Sequence, residues 1–124
     1  MMVSVGPTGE LQEWFEDGLR FLVTALALKA DTRSLPAATS AACDAVRCFL
    51  KIFEAAAESR LPDPRGELAR LRDQCIALLT LGQTPEEALA HSLEAARLAR
   101  DESARFLPRL MAERRQKVDE DEDS

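Results

Sequence analysis

SLPAATSAACDAVRCFLKIFEAAAES, residues 34–59, is the stretch that decides how this chain folds. Leu35, Ala38, Ala42, Ala45, Val46, Phe49, Ile52, Phe53 and Ala56 recur at steps of three and four, the repeat of one face of an α-helix. Ser34 is placed to cap that helix, and Pro36 suits its first turn, where no backbone donor is needed. The apolar face is small early and bulky late. Alanines allow another helix to approach closely at one end, while Phe49 and Phe53 fill volume at the other.

Upstream, Asp31-Thr32-Arg33 reads as a short turn, and a helix capped by Thr8 runs to about Ala30. Leu11, Trp14, Phe15, Gly18, Leu22, Leu26 and Lys29 fall near one stripe of it, which Leu19 and Val23 broaden. A glycine inside a helix costs about 1 kcal/mol relative to alanine, so Gly18 implies close approach by a neighbour. Phe21 and Leu28 lie off the main stripe, which leaves this helix apolar around most of its circumference. Such a helix has to be covered on more than one side. Trp14, Phe21, Ala25 and Leu28 are therefore the candidate partner or dimer surface. Residues 1–7 show no periodicity, end at Gly6-Pro7 and read as a flexible arm.

Downstream, Leu61-Pro62-Asp63-Pro64-Arg65-Gly66 is a break. Asp63 can cap a third helix with Pro64 in its first position. Leu68, Leu71, Cys75, Leu78 and Leu79 mark the inner stripe of that helix, and Gly82 suits the left-handed conformation that ends one. Thr84-Pro85-Glu86-Glu87 is a capping box, in which the Thr84 side chain accepts from the backbone N–H of Glu87. A fourth helix runs from Pro85 to about Leu107, with Leu89, Leu93, Ala96, Ala99 and Leu107 inward and Ser92 beside them. Pro108 kinks that helix or starts a short separate one through Lys117. Val118 to Ser124 is expected to be a disordered acidic tail.

Short connections make sequential helices antiparallel neighbours, so residues 8–117 form one all-α domain, an up-down four-helix bundle. Two helical hairpins that complete a core only in a dimer are the alternative. The 124 residues are 46% hydrophobic and 31% charged, which suits one globular domain. Cys43, Cys48 and Cys75 have no metal-ligand spacing and read as reduced thiols. A reducing, cytoplasmic setting follows. No apolar run reaches the roughly 18 residues of a membrane span.

Catalytic constellations are missing from this reading. A single histidine allows no two-histidine metal site within the chain. No phosphate-cradling glycine loop and no nucleophile elbow occurs. No catalytic residue, cofactor or metal is expected. The segment around His91, AHSLEAAR (residues 90–97), resembles the AHSLKGAA-like segment of histidine phosphotransfer domains, which are also helical bundles. That resemblance implies His91 as phospho-acceptor. Glu94 and Ala95 stand where the family has lysine and glycine, and Glu94 repels a phosphoryl group.

The net charge of -6 comes largely from Asp119–Asp123. Between Arg97 and Lys117, bases outnumber acids by seven to three. Arg97, Arg100, Arg105, Arg109, Arg114 and Arg115 are the candidate face for an anion or an acidic partner. Nucleic acid is disfavoured by the low pI and the lack of interleaved aromatics. Peripheral contact with anionic lipid is a weaker match, and an apolar-ligand or lipid-binding domain lacks any identifiable group to orient a ligand. The expected function is that of a non-enzymatic helical interaction module, an adaptor or subunit. It would use the apolar edge of the first helix and the basic face of the fourth, with a protein partner or a homo-oligomer as its target.

Overall fold

The computed structural model describes residues 9–59, 66–82 and 84–123, with side chains as far as residue 116 apart from that of residue 67. Among them are four α-helices and no strand: α1 (Gly9–Leu28), α2 (Leu35–Glu58), α3 (Glu67–Thr80) and α4 (Pro85–Asp123). The all-α bundle is thus present. The expected N-terminal arm, the Thr8 cap and the Asp63-Pro64 helix start lie outside the described residues.

The connections follow local chemistry. A 3₁₀ turn, Thr32–Ser34, joins α1 to α2, and the Asp31 side chain accepts from the Arg33 N–H at 3.0 Å. Ser34 does not cap α2 with its side chain; its hydroxyl instead donates to the Asp31 carboxylate at 3.4 Å. Asp31, read as a plain turn residue, therefore organises this corner. The α3 helix begins at Glu67, later than Pro64, after Gly66 in a left-handed conformation with φ of 63°. Gly82 has φ of 107°, which L side chains rarely adopt. Thr84 does cap α4, its hydroxyl accepting from the Glu87 N–H at 3.1 Å.

All nine apolar positions singled out on α2 are buried, together with Ala41 and Cys48. The helix packs most extensively against α1 and α4. Cys43 meets Ser92 at 3.8 Å, and Ser103 donates to the Phe49 carbonyl at 3.3 Å. Both helices advance the same way between these two contacts, so α2 and α4 are parallel. Glu10 of α1 reaches Arg114 at 3.8 Å, while Leu26 shares a hollow with Leu93 and Arg97, so α1 runs antiparallel to α4. The third helix packs on α4 and more lightly on α2. The bundle is therefore up-down-up-down, with the α2–α4 diagonal as its spine.

Small side chains explain that spine. Ala38, Ala41, Ala42 and Ala45 of α2 share a buried cluster with Leu93, Ala95, Ala96 and Ala99 of α4. Without long side chains between them, two helix backbones can approach closely. A second cluster, built on Leu11, Ile52, Phe53, Leu68 and Leu110, closes the other end.

Pro108 neither ends α4 nor starts a new helix, because the helix is continuous from Pro85 to Asp123. The expected short C-terminal helix is thus part of α4, and helical backbone reaches into the acidic run expected to be disordered. Proline deprives the Ala104 carbonyl of its helical donor, but Ala104 and Pro108 are both exposed, so water can satisfy it. Arg114 stands level with the start of α1 and the end of α2, so the last turns of α4 run past both. Among the described residues, no helix is long and apolar enough to cross a membrane.

Candidate functional site

The proposed apolar edge of α1 divides in the structure. Ala25 is fully buried and belongs to the core, which removes it from any exposed surface. Leu28 and Trp14 are half-buried, packed against the first and second clusters respectively. Phe21 is 38% exposed. The most open apolar side chains on this helix are Val23 at 66% and Leu26 at 52%, both expected to belong to the inward stripe. The buried line is Leu11, Gly18, Leu22 and Ala25, which turns Leu26 outward.

The six arginines do not form one face. At about 100° per residue, Arg97 and Arg115 point one way, Arg105 and Arg109 lie to one side and Arg100 and Arg114 to the other. Three of them have acids of this chain beside them: Arg100 with Asp101 at 3.0 Å, Arg105 with Glu102 at 3.4 Å and Arg114 with Glu10 at 3.8 Å. The basic segment is therefore a set of local ion pairs around much of a helix, and its charge is not focused on one direction.

His91 is half-buried, and its neighbour Ser92 is buried against Cys43. Glu94 is exposed one turn further on. Among the described residues, no group of three His, Cys, Asp or Glu side chains could hold a metal.

The thiols differ in environment. Cys43 is partly exposed, whereas Cys75 is fully buried and donates to the Ala95 carbonyl at 3.6 Å. Burial pushes the Cys75 thiol up from 9.0 to about 11. The folded state then holds this proton more tightly than the unfolded state, so unfolding releases it at high pH. Stability from this group is complete below about pH 9 and is lost as pH rises toward 11. Denaturant titrations should show that decline, on the order of 2 kcal/mol, and Cys75→Ala should flatten it. An unchanged slope in the variant would contradict the assignment.

What the tertiary structure assembles is an open groove between the end of α1 and the first half of α4. Its volume is about 490 Å³, and it is lined by Leu26 of α1, by Lys29 just past the end of that helix and by Leu93, Glu94, Arg97, Leu98 and Asp101 of α4. The floor is leucine and the rim carries both signs of charge. Lys29, Glu94 and Arg97 make no ion pair among the described residues. A smaller hollow of about 270 Å³ lies between α2 and α3, beside Phe53, Leu68 and Arg72. Of the groove residues, only Arg97 was a sequence-level candidate. The usable signal was the 4-3-4 spacing of Ala90, Glu94, Arg97 and Asp101, a second seam on α4 outside its core stripe. No protein-family model, curated protein or solved structure matches the chain.

Proposed function

We propose that this chain is a helical protein-interaction module whose binding surface is the α1–α4 groove. The observation that carries this reading is the groove itself. Leu26 is half exposed above a leucine floor, and Lys29, Glu94 and Arg97 around it are uncommitted to any ion pair among the described residues. An apolar trough with a charged rim suits a helical segment, which buries one face and orients by its edges. It suits a small molecule less well, because no convergent set of buried polar groups points into it. Of the residues expected on an α1 edge and an α4 face, this surface uses only Arg97, and Leu26 and Lys29 stand in place of Trp14, Phe21, Ala25 and Leu28.

The test places a photo-crosslinking amino acid at position 26, and at exposed position 76 on α3 as a control, in cells expressing the whole chain. A discrete protein adduct is expected at 26 and not at 76, and Leu98→Glu should reduce it at least tenfold. Equal adducts at both positions, or none at 26, would overturn the reading.

A further inference from the structure

We propose that the occupant of this groove is a second copy of the chain, paired about a two-fold axis that passes beside α4, perpendicular to it, at the level of Ala95 and Ala96. The inference rests on the interaction reading above and adds the partner. Ala90, Glu94, Arg97, Asp101 and Ala104 are all exposed and follow one another at steps of four and three, the spacing of a helix–helix seam. A two-fold operation lays the α4 helices antiparallel across each other. In the register centred between Ala95 and Ala96, Glu94 of each copy meets Arg97 of the other.

Charge complementarity selects this occupant. The groove holds two bases, Lys29 and Arg97, and two acids, Glu94 and Asp101. A strongly acidic or strongly basic partner would meet repulsion from half of them. A symmetric copy supplies the opposite charge to Glu94 and Arg97 at the same time, which is how an isologous interface becomes self-complementary. Glu94 and Arg97, although three residues apart on one helix, are paired neither with each other nor with another charged group among the described residues, which leaves both for such a pairing. Ala90 and Ala104 let the helices approach, and the exposed Leu26 of each copy gains cover.

The test is the solution mass of the whole 13.7 kDa chain across a concentration series, by analytical ultracentrifugation. Wild type should approach twice that mass. Arg97→Glu places acids at both 94 and 97, and Glu94→Arg places bases at both. Each variant alone should pair at least tenfold more weakly while keeping its helical circular dichroism, since both positions are exposed. An equimolar mixture of the two should recover the dimer, because the bases of one face the acids of the other. A monomeric wild type at all concentrations, a dimer indifferent to both substitutions, or a mixture that stays monomeric would each overturn the proposal. A monomeric wild type whose position-26 adduct is a different protein would overturn self-pairing alone. A monomer with no adduct would overturn the interaction reading as well.

Discussion

Phe49→Ala is expected to lower the free energy of unfolding by about 3–5 kcal/mol. Phe49 is fully buried at the point where three helices converge. Its ring meets Phe15 of α1 with centroids 5.6 Å apart and planes tilted by 59°, a favourable aromatic geometry. Its carbonyl accepts from Ser103 of α4, and Gly18 of α1 lies under its ring. Truncation leaves a cavity that α1 cannot fill, because the α2–α4 spine holds the surrounding backbone in place. A domain of this size has roughly 5–15 kcal/mol of stability in all, so much of it would be lost. Urea unfolding followed by circular dichroism measures this directly. A cost under about 1 kcal/mol would show that the ring is not what holds α1 to α2.

Gly18→Ala is expected to destabilise the protein by about 1–3 kcal/mol, although alanine is the better helix former. A Cβ at position 18 would stand 2.5, 2.7 and 2.9 Å from three carbons of the Phe49 ring. The ring cannot swing into solvent, because it is fully buried between α1 and its own helix. The added methyl must therefore push α1 outward or force Phe49 off its rotamer, and either outweighs the gain in helix propensity, about 1 kcal/mol. The same denaturation experiment reads it. Combining Gly18→Ala with Phe49→Leu should cost less than the two single losses added together, since the smaller side chain clears the space. A stabilised Gly18→Ala protein, or strict additivity, would contradict this account.

Much of the fold is legible in residue spacing. On α2 the apolar repeat is interrupted by Asp44, Arg47, Lys51 and Glu54, so only one face can turn inward, and it does. The α3 stripe at Leu68, Leu71, Cys75, Leu78 and Leu79 is also inward-facing in the structure, as is the α4 stripe from Leu89 to Leu107. Gly18 reads as a close approach by a neighbour, and the approaching group is the Phe49 ring of α2. On α1, periodicity had little power. With apolar residues on most sides, a small rotation of the helix exchanges Ala25 for Leu26, and nothing local fixes that rotation. Of the two alternatives at Pro108, the separate short helix is the one that fails, because the cost of a proline depends on whether the carbonyl it leaves unpaired is buried or wet, which is a property of the surroundings.

By itself, the sequence determined the all-α class, the helix-loop order, the inner faces of α2, α3 and α4 and the Thr84 cap. These depend on residues within a few turns of one another, through helical periodicity, alanine content and turn chemistry. Only the tertiary structure decided that α2 and α4 form the spine, which flank of α1 stays exposed, and that Leu26 and Lys29 share a groove with Glu94, Arg97 and Leu98. Those outcomes depend on side chains far apart in the chain meeting across the bundle, 49 positions for Cys43 and Ser92 and 54 for Phe49 and Ser103. There, the fit of alanine against alanine and of Phe49 against Gly18 sets the rotation of each helix, and no local pattern encodes it.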